Sequence, residues 1–242
     1  METMTAQPPG RRPIEVGRVI SEAFAIYAAN AVPLLVSAFA IFLVVAIAQT
    51  LLLDGGVLLQ FVATALGLVA QALYTGFVVK LVEDVRDGRR DFTTGELFSF
   101  ASKFIGPLIV NGFLRAVAVA AGLFLLIVPG LYLLTIWAVT SPAVVAEGKD
   151  AIGAFGRSNE LVGDQKMPVF LTILVAFLIT LGVAAVAVGI GLAVGNGALF
   201  ALLIFGTTVT APIAALVASV LFFDLGGGGA RPPEDSQVVV EY

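Results

Sequence analysis

The chain has 242 residues, 59% of them hydrophobic and only 12% charged, against roughly 45–50% and 25% in soluble domains. So few polar groups cannot cover a surface, so most of the surface faces a bilayer, and the net charge of −4 comes without a basic patch suited to nucleic acid. No cysteine and no histidine is present, which excludes disulfides, thiolate chemistry, imidazole bases and the commonest transition-metal ligand.

In chain order, residues 1–12 read as a flexible N-terminus. No compact apolar stretch follows Arg11 and Arg12, and no small-residue cleavage site is present, so a removed signal peptide is not expected and the first span serves as its own insertion signal. "PIEVGRVISEAFAIYAAN" then sets Val16, Ile20, Ala23, Phe24 and Tyr27 against Glu15, Arg18 and Glu22, the spacing of an amphipathic helix. Apolar runs at 31–53 and 57–82 follow, separated by "LDGG". A second amphipathic helix, "TTGELFSFASKFIG", leads to runs at 107–128 and 130–146 joined at "VPG". The third, "DAIGAFGRSNELVGD", leads to runs at 167–194 and 197–223 joined at "GNG". Each run approaches the roughly 20 residues needed to cross a bilayer.

These elements predict an all-α integral membrane protein. Six transmembrane helices form three antiparallel hairpins, each preceded by an amphipathic helix. The amphipathic helices either lie in the headgroup region or cap the bundle. Glu22, Phe24, Pro33, Leu34 and Val36 match Glu96, Phe98, Pro107, Leu108 and Val110 without a gap, and "VTSP" at 139–142 matches "VTAP" at 209–212. The single membrane domain, 13–224, therefore divides into repeat units of about 13–84, 92–148 and 149–224, with 225–242 as a flexible cytoplasmic tail. Twelve of the 13 Lys and Arg residues fall in the N-terminal segment, the 80–106 loop, the 147–166 loop and the tail, and the three tight turns hold none. Both termini and both long loops are accordingly expected in the cytoplasm.

The remaining cation is Arg115, four residues after Asn111 in the third span. Span 2 carries a polar stripe of Gln60, Thr64, Gln71 and Thr75. At about 1.5 Å per residue, Arg115 and Gln71 reach similar depth near the midplane. No Asp or Glu lies inside a span to pair with the arginine. An arginine there costs about 2.5–3.5 kcal/mol on the insertion scale. Two readings stay open: it snorkels toward the cytoplasmic phosphates, or it lines a polar pocket with Gln71 and Asn111 that receives an anionic or polar group. Small residues at Ala63, Gly67, Ala72, Gly76, Gly182, Gly189, Gly191 and Gly195 suit close helix packing.

One stretch carries a resemblance. Pro129 and Gly130, Trp137, Pro142, Glu147 and Gly148, then Arg157 and Ser158, resemble the pattern of the YciC-like bacterial inner-membrane proteins and of the membrane domain attached to some glycerophosphodiester phosphodiesterases. An aromatic often follows Arg-Ser in that pattern, where this chain has Asn159. The resemblance implies a multi-pass protein of the bacterial inner membrane and no particular activity. Glu147 and Arg157 are expected to pair as a structural lock. No catalytic residues, cofactor or metal site are expected. Membrane lipids are the expected partners, with a protein partner or a second copy also open. The leading expectation is a non-catalytic, lipid-interacting scaffold or partner subunit. The alternative is a transporter or channel for a small polar or anionic solute.

Overall fold

A computed structural model describes residues 13–52, 56–88, 93–194 and 196–228, with side chains for all of these except 191 and 196–204. The expected N-terminal segment 1–12, the turn at Asp54, Arg89 and Arg90 of the first long loop, Gly195 and the tail from 229 onward lie outside the described residues. Every regular element among the described residues is helical: α1 (Val16–Ala29), α2 (Ala31–Leu52), α3 (Gly56–Arg86), α4 (Thr94–Ser102), α5 (Ile105–Leu125), α6 (Ile127–Ile136), α7 (Thr140–Ala146), α8 (Gly153–Val162), α9 (Lys166–Val194) and α10 (Asn196–Asp224). Six segments are long and apolar enough to cross a membrane, with α6 and α7 together making one of them. The chain is a multi-pass membrane protein.

Helices α3 and α10 form the centre. The first packs against α2, α4, α5, α7 and α10, and the second also against α1, α2, α7 and α9. Their buried residues are large: Tyr74, Phe77, Val78 and Val79 on α3, and Leu216, Val220, Leu221 and Phe222 on α10. Tyr74 can be buried because its hydroxyl donates to the Leu34 carbonyl at 3.1 Å. Its ring joins an aromatic run through Phe42, Phe77 and Phe98, where the last pair stacks at 4.4 Å. Gly76 brings α4 against α3, since a Cβ there would lie 3.0 Å from that of Ala101. Near the tight turns, by contrast, Val57, Leu58, Phe61, Phe124, Leu125 and Val194 are exposed. In water such a patch would drive aggregation, whereas lipid tails solvate it as well as a protein core would.

The stretches expected to be amphipathic contain α1, α4 and α8: Val19, Ala23 and Ile26, then Leu97 and Ala101, then Ala154, Leu161 and Val162 are buried, whereas Phe24, expected on the apolar face of α1, is exposed. Helix α4 starts on a capping box in which Thr93 and Glu96 exchange side-chain and backbone hydrogen bonds. A ring of charges at this end ties α1, α3 and α10 together. Arg86 meets Glu22 at 2.5 Å and Asp224 at 2.9 Å, and Arg18 meets Asp224 at 2.9 Å.

Three local features differ from the sequence expectation. Pro129 and Gly130 do not make the turn between the third and fourth spans. The chain reverses at Leu126, and both residues belong to the first turn of α6, where proline's missing N–H costs nothing. The turn can be this short because Gly122 and Gly130 meet backbone to backbone: a Cβ on Gly122 would lie 2.9 Å from the Gly130 Cα. The fourth span, one continuous run in the sequence, is also interrupted, with Trp137 to Val139 forming a turn between α6 and α7. At the other terminus, Leu225 to Gly228, the head of the expected tail, fold back as a turn with Gly226 and Gly228 at φ 86° and 81°, a region that favours glycine.

Candidate binding cleft

The interrupted span gathers several polar groups inside the bundle. Pro142 cannot donate to the carbonyl one turn back, at Ala138, and the opened turn frees further groups of the main chain. Leaving a buried one unmade would cost about 1–3 kcal/mol. Ser158 of α8 closes the gap: its buried hydroxyl donates to the Ile136 carbonyl at 2.8 Å and accepts from the Val139 amide at 3.3 Å. The Trp137 carbonyl takes the Thr140 hydroxyl at 3.3 Å and Arg115 Nη1 at 3.5 Å. Trp137 in turn packs edge-on against Phe155 of α8 at 4.7 Å.

Helix α8 is held against the break by Glu147 and Arg157, which pair through two parallel bonds of 2.8 and 2.9 Å. The Gly228 amide adds a third bond to Glu147 at 3.1 Å. Burial works against ionisation of Glu147, but the Arg157 hydrogen bond, the Gly228 amide and the Arg157 charge outweigh it and hold the carboxyl below its ordinary range. Gly148, following at φ 64°, starts the chain toward α8.

Arg115 and Gln71, expected at similar depth from helix rise, line one cleft of about 290 Å³ among α3, α5, α6, α7, α9 and α10. Thr75, Ser141 and Thr180 supply the other polar groups of its wall, and no carboxylate lines it. Arg115 makes no ion pair among the described residues. Asn111 is not part of this wall. It is fully buried, and its amide donates to the Ala151 carbonyl at 2.8 Å, anchoring the loop that leads into α8. Gln60 and Thr64 lie on exposed parts of α3 and do not reach the cleft.

A second cleft of about 640 Å³ adjoins the first between α2, α3, α9 and α10, sharing Gln71 and Thr180 with it. Gln49, Thr207 and Thr210 line it together with Phe42 and Val45. Sequence reading passed over Ser141 and Gln49, although each is a polar residue inside an apolar run. The donors of the first cleft, with no base among them, suit it to hold an anion rather than to transfer a proton. Neither a protein-family model, nor a curated protein, nor a solved structure matches this chain.

Proposed function

We propose that this membrane protein is non-catalytic and lipid-interacting, a scaffold or partner subunit of the bacterial inner membrane with both termini cytoplasmic. Its six spans make three antiparallel hairpins of a threefold repeat. Helices α1, α4 and α8 cap them at headgroup level, buried faces on the bundle and Arg18, Ser99 and Glu160 outward. The observation that carries this reading is Arg115: a guanidinium at membrane depth, on a cleft wall without a carboxylate, calls for an anionic partner from outside the chain. Transport of a small polar or anionic solute is the second reading, favoured by the two adjoining clefts beside an interrupted span.

The absence of native cysteine makes the test direct. A single cysteine at Gln71 is exposed to a small membrane-impermeant thiol reagent from each side of oriented vesicles, with Ser99→Cys as the labelling control. Protection from both sides is expected for the scaffold. Modification from either side means that water reaches the cleft, and transport becomes the better reading.

A further inference from the structure

We propose that the Arg115 cleft is a binding site for a phosphate-bearing group, held by the Arg115 guanidinium with the Ser141 hydroxyl and the Gln71 amide as further donors. This inference rests on the reading of the protein as lipid-interacting and names the chemistry recognised. Arg115 carries five N–H donors and a charge it does not lose. Its one hydrogen bond among the described residues, to the Trp137 carbonyl, is 3.5 Å long, the outer limit for such a bond. A serine inside a helix ordinarily turns its hydroxyl onto the carbonyl four residues back. For Ser141 that carbonyl is Trp137, already taken by Thr140 and Arg115. The Ser141 hydroxyl makes no hydrogen bond among the described residues. Among the described residues the Gln71 amide reaches only Thr75, again at 3.5 Å.

Three under-used donors from α3, α5 and α7 thus meet in one cleft. A carboxylate offers two oxygens in a plane, which the guanidinium fork alone would satisfy. A phosphate offers its oxygens in several directions, and so can serve the fork, the hydroxyl and the amide together. The rest of the surroundings is apolar, with Phe177 and Ile173 in the first cleft and Phe42 and Val45 in the second. That suits the hydrocarbon of an amphiphile. No carboxylate stands ready for a quaternary ammonium, so a phosphate with a neutral substituent is preferred over a zwitterion.

The test uses the full chain, purified in detergent and exposed to phosphatidylglycerol, phosphatidylcholine or inorganic phosphate, with retained ligand read by native mass spectrometry. Arg115→Gln removes the charge. Ser141→Ala removes a hydroxyl that holds nothing else among the described residues, so it stays informative if the first variant folds poorly. Phosphatidylglycerol is expected to be retained over phosphatidylcholine, falling about tenfold or more in Arg115→Gln, as for loss of a charge-assisted bond, and several-fold in Ser141→Ala. Retention of inorganic phosphate alone, lost in the same variants, also supports the site and identifies the source as a free anion. Phosphatidylglycerol retained equally by both variants overturns the site while leaving the lipid-interacting reading in place. Retention of none of the three overturns both.

Discussion

The same residue pattern meets opposite fates in two spans. At Val139 to Pro142 and at Val209 to Pro212, a Val-Thr pair precedes a proline by one residue, and in each case the helix loses one N–H donor. The fourth span opens into α6 and α7, whereas α10 runs unbroken from Asn196 to Asp224. The difference lies in the neighbours. Around Trp137 the freed groups find Ser158 and Arg115, on two other helices. Near Pro212, by comparison, the Tyr27 hydroxyl of α1 donates to the Val209 carbonyl at 3.1 Å, within a helix that stays continuous. Proline weakens a helix at one point, and polar side chains arriving from elsewhere make a full interruption affordable in a medium that offers no water.

The largest effect is expected where that support is withdrawn. Ser158→Ala leaves the Ile136 carbonyl and the Val139 amide without their partner, both at a buried position. At the usual penalty for buried groups left unmade, the cost is about 2–4 kcal/mol. It is read as a drop in the apparent Tm of the detergent-solubilised protein. An unchanged Tm would mean that the break is not held by Ser158.

Next comes the pair that docks α8. The Glu147 and Arg157 side chains are 13% and 26% exposed, so Glu147→Gln should cost about 1–2 kcal/mol, between the values for exposed and buried pairs. The pH dependence has a definite sign. The carboxyl titrates lower in the folded protein than in the unfolded chain, so its contribution is complete above the ordinary carboxylate range. It disappears as pH falls through that range and then through the lower folded value. Native protein is therefore expected to lose Tm on acidification below about pH 4.3, and Glu147→Gln to lose less. Glu96, also lowered by its capping bonds to Thr93, accounts for part of the residual slope. Equal slopes in both proteins would remove Glu147 from the account.

On the α10 side, Tyr27→Phe deletes one hydroxyl bonded to a carbonyl, and a loss of about 1 kcal/mol is expected. A loss as large as that of Ser158→Ala would erase the distinction between the two spans, and would make Tyr27 as necessary to its proline as Ser158 is to the opened turn.

Sequence pattern reached the spans because lipid selects on composition over roughly 20 residues at a time, which tolerates small errors in the ends. The depths of Gln71 and Arg115 followed from helix rise alone, and both residues line one cleft. The Glu147–Arg157 pair spans ten residues across a short turn, close enough for opposite charges to be matched by eye. What escaped depended on contacts between distant elements. Asn111 shares a helix face with Arg115 by spacing, yet it serves Ala151 on a loop. The ring of Arg18, Glu22, Arg86 and Asp224 joins residues up to 206 positions apart, and none of the four stands out locally. Pro142 was visible, but the opening at Trp137 to Val139 was not, because Ser158 determines it from another helix.

The smallest effect gives the sharpest version of the comparison. Ser219 in α10 is as fully buried as Ser158, and Ser219→Ala is the same chemical change. Its hydroxyl, however, donates at 2.7 Å to the Ala215 carbonyl one turn back in its own helix. That carbonyl lies where a continuous helix already provides a backbone donor, so the substitution strands no group. Alanine is also the better helix former. The expected change is within about 0.5 kcal/mol in either direction, measured in the same melting experiment as Ser158→Ala. If both variants lost equal stability, the penalty would come from deleting a buried oxygen wherever it sits. A wide gap between them assigns the cost to the unmet groups of the interrupted span.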